Sequence, residues 1–207
     1  MRRLSPIIVL FLAGCGATAR TGTGPTPTDH DLDYPVGPFS LTERSGRTVT
    51  DRDLRGSVWV ASFIFTRCTG PCPQVSSTVA RLQAELKDEP GVKFVTFTVD
   101  PSRDDLAALR EYAKIRGADA ERWLFLTGDE ATIHKLMHTQ FKQGVERNEQ
   151  PGAKPGDEFN HSTRLVLVDK NGVIRAMFDG LPNEQFPDQF DANYARLIRR
   201  ARELARE

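Results

Sequence analysis

The chain has few cysteines and no surplus charge of either sign. Three cysteines, Cys15, Cys68 and Cys72, stand among 207 residues. That excludes a small scaffold stapled by disulfides, so an apolar core must hold the fold. Lysine plus arginine total 28, as do aspartate plus glutamate. Such a balance excludes the broad basic footprint of a nucleic-acid binder, and no nucleic-acid partner is expected. No internal repeat is present, which excludes a solenoid. Only four histidines are available, His30, His134, His138 and His161. Any metal site that needs imidazole must therefore draw on a very short supply.

The first fifteen residues, MRRLSPIIVLFLAGC, read as a targeting signal. Arg2 and Arg3 precede an apolar run, Ile7 to Ala13, that is too short to cross a bilayer. Leu12-Ala13-Gly14-Cys15 fits the bacterial lipobox. The expectation is a signal peptide over 1–14, with Cys15 lipidated as the first mature residue. The protein is then exported and anchored by lipid to a bacterial membrane. Its domain faces the periplasm or extracytoplasmic space, where a disulfide can persist. Residues 15–35 are rich in Gly, Thr and Pro and lack apolar periodicity, which predicts a flexible linker. His30 falls within it.

From residue 36 the pattern alternates. FSLTE and RTVT flank Arg44-Ser45-Gly46 and predict an N-terminal hairpin. SVWVASFIF is a continuous apolar run, as expected of a central strand buried on both faces. Val75, Val79, Leu82 and Leu86 then recur at helical spacing. VKFVTFTV, DDLAALREYAKI, RWLFLTG and DEATIHKLMHTQF continue as strand, helix, strand, helix. Residues 143–160 are polar and read as a long loop. TRLVLVD and VIRAMF flank an Asn171-Gly172 turn. Tyr194, Leu197, Ile198 and Ala201 mark a last helix. This order predicts an α/β fold, a mixed sheet with helices on both faces, laid out like thioredoxin-like folds.

Cys68 and Cys72 lie just past the carboxyl end of the first buried strand, where open α/β sheets place their sites. Pro73 suits the first turn of a helix, which puts Cys72 at or beside the N-cap and Cys68 in the preceding turn. A helix N-terminus favours thiolate and lowers a cysteine pKa. Such thiolates attack disulfides or bind soft metals. Three intervening residues, one more than the usual redox spacing, leave room for an ion between the sulfurs. A structural disulfide between Cys68 and Cys72 is the third possibility, and all three stay open on spacing alone.

Of the histidines, His134 and His138 are four apart on a helix that lacks companion ligands. His161 follows the long loop at the mouth of a strand, where it can swing toward the cysteines. Asp100 ends a strand in VDPSRDD and could line the same surface as a second-shell group, while Ser102 and Asp104 suit helix capping. Met137 and Met177 sit at core spacing.

Taken together, FIFTRCTGPCP, TVDPSRDDLAALREYA and HSTRLVLVDKNGVIR resemble, in order, three motifs of the Sco/SenC copper-binding proteins. The resemblance runs from about Val36 to the C-terminal helix. It implies a thioredoxin-like copper-binding domain over 36–207, in which Cys68, Cys72 and His161 bind one copper ion as Cu(I) or Cu(II). It implies a metallochaperone rather than an enzyme. The implied partners are the cytochrome c oxidase subunit that carries the dinuclear copper centre and other periplasmic copper chaperones. Asn160 stands where some relatives carry an acidic residue. The alternative is a thiol–disulfide oxidoreductase in which Cys68 and Cys72 are the catalytic pair, acting on cysteines of a copper-protein client. A peroxidase on the same fold would need partners for its thiolate that the sequence does not reveal.

Overall fold

The computed structural model describes residues 32–182 and 185–207. The elements follow as β1 (Tyr34–Pro35), β2 (Ser40–Glu43), β3 (Thr48–Thr50), β4 (Val58–Ile64) and α1 (Cys72–Glu85). Then come β5 (Val92–Thr98), α2 (Leu106–Ile115), β6 (Trp123–Thr127) and α3 (Glu130–Leu136). After α3 a π-helical turn, Met137–Phe141, leads to β7 (Val145–Arg147), β8 (Phe159–His161), β9 (Arg164–Val168), β10 (Val173–Asp179) and α4 (Pro187–Arg206).

Eight strands form one sheet in the order β1-β10-β9-β4-β5-β6-β2-β3. β4, β5 and β6 run parallel, and β9 joins β4 antiparallel on its other side. All seven residues of β4 are buried, as the unbroken apolar run requires of a central strand. The β2–β3 hairpin extends the sheet beyond β6. At the Asn171-Gly172 turn, Gly172 has φ +70°, and the Asp169 carboxylate accepts from the Asn171 and Val173 amides.

Alternate residues of the central strands β4, β5 and β6 serve two cores. On one face Phe141 meets Trp59, Phe63 and Phe97 at ring distances of 5.3–5.9 Å. On the other, Tyr112 of α2 packs edge-on to Phe125 at 6.2 Å and shares a 2.8 Å hydroxyl contact with Ser76 of α1. Each fully buried ring contributes on the order of 1.5–3 kcal/mol. The two β-α-β crossovers place α1 and α2 on one face, where Ser76 meets Tyr112, and the run through α3 to Phe141 covers the opposite one. The predicted mixed sheet with helices on both faces is therefore what forms.

Two stretches differ from their sequence reading. The segment read as a long loop contains a two-stranded ribbon, with β7 antiparallel to β8 and Val145 opposite His161. Val145 and Phe159 are both buried, and these isolated apolar residues pin an otherwise polar segment to the body. The end of the expected linker also belongs to the sheet. Tyr34 and Pro35 pair with Ile174 and Val173 of β10. Cys15, His30 and the rest of the signal and linker lie outside the described residues.

Candidate metal centre

The chain leaves β4 at Ile64 and turns sharply, with the Cys68 amide donating to Phe65 O at 3.2 Å. α1 begins at Cys72, with Pro71 as N-cap and Pro73 in the first turn. Proline costs nothing there, because those first amides have no partner inside the helix. Cys72 is 0% exposed and Cys68 8% exposed. Both cysteines are free thiols.

The two sulfurs differ in character. The Cys72 thiol and the backbone amides of Cys72 and Gly70 face the Cys68 sulfur, and they pull its pKa down to about 6 against the opposing effect of burial. Cys72 is pushed up, first by the hydrogen bond its thiol makes to Cys68 and then by burial. At neutral pH the pair is therefore one thiolate beside one thiol.

His161 ends β8. Its Nδ1 lies 2.9 Å from Ser162 O, a pure acceptor, so Nδ1 carries the proton. Nε2 is left with its lone pair, 3.4 Å from Cys72 Sγ. Burial lowers the His161 pKa and favours the neutral ring. Phe65 packs edge-on to His161 at 5.9 Å, Phe159 edge-on to Phe65 at 5.7 Å, and His134 edge-on to Phe159 at 5.7 Å. A cavity of about 250 Å³ opens beside these groups, lined by Cys68, Pro71, Asn148, Asp157, Asn160 and His161 among others.

The ribbon that carries His161 has two fastenings. Arg147 reaches both oxygens of Glu130 on α3, at 2.7 and 2.6 Å, and its guanidinium lies 4.9 Å over the Phe159 ring. At the tip, Gly156 has φ +101°, and a Cβ there would lie 2.6 Å from Thr69 Oγ1 of the cysteine turn. None of these fastenings stood out in the sequence. Val145 and Phe159, apolar residues at the two ends of a polar stretch, were the only trace of them.

The remaining candidates are engaged elsewhere. His134 Nε2 lies 2.8 Å from Val99 O and His138 Nε2 3.1 Å from Val145 O, so the two rings serve separate carbonyls. Met137 is fully buried, and Met177 Sδ accepts from Gln143 at 3.3 Å. Asp100 is buried and takes Ser102 Oγ at 2.7 Å and Arg103 at 2.8 Å. Among the hydrogen bonds of the described residues, none joins Asp100 to the cysteines or His161. The helix cap is Asp105, which accepts from Ala108 N at 2.8 Å, and neither Ser102 nor Asp104 fills that place.

A SCO1/SenC family model matches residues 28–193. The chain belongs to the SCO1/SenC family. A family lipoprotein from Bacillus anthracis str. Ames is 30% identical, with TM-score 0.74, covering 84% of this chain and 97% of that one. BsSco, a member of the Sco family of cytochrome c oxidase assembly proteins in which a disulfide switch was identified, is 29% identical with TM-score 0.69. That match covers 84% and 95% of the two chains. ScoI of Bradyrhizobium japonicum, solved with copper bound, is 26% identical with TM-score 0.62, covering 79% and 99%. The fold is thus the thioredoxin-like one of Sco structures.

Proposed function

We propose that this SCO1/SenC protein binds one copper ion through Cys68, Cys72 and His161 and assists maturation of the dinuclear copper centre of cytochrome c oxidase. The observation that carries the reading is the approach of His161 Nε2 to within 3.4 Å of Cys72 Sγ, with Cys68 hydrogen-bonded to Cys72 and lining the same cavity as His161. Two sulfurs and one imidazole make a soft donor set suited to copper. Cu(I) is satisfied by few ligands, and Cu(II) gains more from the imidazole. Copper is here cargo to be surrendered. The three residues hold it, and the aromatic wall of Phe65 and Phe159 limits the access of water. The copper-bound Bradyrhizobium relative and the oxidase-assembly role of BsSco's family support this assignment. Lipid attachment at Cys15, in an exported protein, is part of the same proposal, in keeping with the Bacillus anthracis lipoprotein.

One observation favours a second reading. A thiolate at Cys68 beside a protonated Cys72 is the asymmetry that a thiol–disulfide oxidoreductase needs. Cys68 would attack a client disulfide, forming a mixed disulfide and expelling one client thiolate. Cys72, once deprotonated, would attack the Cys68 sulfur and expel the second. The client gains two electrons, and the protein is left with a Cys68–Cys72 disulfide.

Anaerobic copper titration of the reduced protein separates the readings. One equivalent bound, with the Cu(II)–thiolate absorption lost in Cys68→Ala, Cys72→Ala and His161→Ala, is the expected result. No stoichiometric binding, with client disulfides reduced at undiminished rate by His161→Ala, would replace the first reading with the second.

A further inference from the structure

Two adjacent carboxylates, Asp104 and Asp105, open α2, and they do different work. Asp105 is exposed and caps the helix. Asp104 turns inward and is 0% exposed. Its Oδ2 accepts the Thr66 amide at 3.0 Å, and its Oδ1 accepts the Thr66 hydroxyl at 2.6 Å. The Thr98 hydroxyl donates to Oδ2 as well. The Asp104 amide donates to Asp100 O at 2.9 Å, and its carbonyl accepts from Thr127 Oγ1 at 3.3 Å. One residue therefore fastens the chain just past β4, the last residue of β5 and the last residue of β6.

A buried carboxylate with only neutral donors is costly, and burial pushes its pKa up. A cost of that kind calls for a return. The β4–β5 register ends at Ile64 and Thr98, so Thr66 lies beyond the sheet's own ladder. Its amide would have no strand partner without Asp104. Thr66 is also two residues before Cys68, and the Cys68 amide bonds back to Phe65. Where Thr66 goes, the cysteine turn goes with it.

We propose that Asp104 is the positioning residue of the cysteine turn, clamping Thr66 so that Cys68 is presented to Cys72. The copper part of this inference rests on the function proposed above, and the thiol part does not. Losing the clamp lets Cys68 drift, which lowers the effective concentration of one thiol at the other.

The decisive experiment equilibrates the metal-free protein with a glutathione redox buffer. Two cysteine thiols give two electrons and two protons to glutathione disulfide, which becomes two glutathione thiols. Asp104→Asn should reduce the equilibrium constant for the Cys68–Cys72 disulfide roughly tenfold, in the range typical of supporting partners at a site. Thr66→Val should shift it the same way, and the double variant no further than the larger single one. Asp105→Ala, which removes the neighbouring helix cap, should lower the melting temperature yet leave the disulfide equilibrium in place. An Asp104→Asn variant that melts earlier while its equilibrium stays within about twofold of wild type would overturn the proposal, because a purely structural residue behaves that way. Should Asp104→Asn fail to fold, Thr66→Val alone decides, and an unshifted equilibrium there overturns it. With copper, both variants should also move the Cu(II)–thiolate absorption. A wild type that never shows that band counts against the copper reading alone.

Discussion

The two arms of the site are built differently. The cysteine arm grows out of β4, the most buried strand, and enters a fourteen-residue helix. The histidine arm is a ribbon with three residues in each strand, and among the described residues its strands pair only with each other. One arm is part of the core, and the other is strapped onto it by Phe159, the Arg147–Glu130 pair and the contact of Gly156 with Thr69. The difference teaches a division of labour. In the copper site proposed above, the sulfurs would be preset and the imidazole would be the group withdrawn at low cost.

The sharpest way to break the comparison is to remove a sulfur. Cys72→Ala takes away the group that touches both Cys68 and His161, the other two proposed ligands. It should abolish stoichiometric Cu(I) binding, measured by competition with a chromogenic chelator. Next, His161→Ala should weaken Cu(II) by more than about a hundredfold, beyond what losing a mere supporting partner costs, and Cu(I) far less. Equal losses would mean that the arms are not distinct. Gly156→Ala should come third. A side chain at φ +101° facing Thr69 costs about 1–3 kcal/mol. The tip should lift, and Cu(II) should dissociate faster than from wild type while Cu(I) affinity holds. The smallest effect belongs to Glu130→Gln. It loses a pair whose Arg147 side chain is 46% exposed, worth roughly 0.2–1 kcal/mol. It should be visible as faster amide exchange in β7 and β8 with little change in melting.

The cysteine arm also carries a pH signature. Folding holds the Cys68 pKa near 6, below its ordinary value of 9.0. The folded state therefore binds the thiolate better than the unfolded chain does. The stability this gives is fully present above the unfolded value and is lost as pH falls through about 6. Brief alkylation of the metal-free protein at pH 7 should label Cys68 and spare Cys72. Equal labelling would remove the asymmetry on which the oxidoreductase reading depends.

The core strands and helices were legible in the sequence because their apolar periods are long and unmixed. SVWVASFIF could hardly be anything other than a buried strand. The ribbon was not legible, since two apolar residues separated by a polar stretch set no period. From the sequence, Ser102 and Asp104 take the helix cap that the structure gives to Asp105, because the same residue type at adjacent positions suits either a cap or an inward clamp. Which one turns in is decided by Thr66 and Thr98, far off in the chain. The meeting of His161 with Cys72 was foreseen through family resemblance. The loop position of His161 alone left it as one possibility among others.

The margins of the main sheet have a practical consequence. One edge is β1, two residues ending in a proline, and the other is β3, only three residues long. Open backbone groups along such short rims offer little for another molecule to pair with. Beneath β1 lies β10, seven residues long. A chain cut back to begin at Val36 would uncover Val173 and Ile174, the two β10 residues that β1 pairs with. Such a truncation is expected to self-associate through β10, where the protein that keeps Tyr34 and Pro35 stays dispersed.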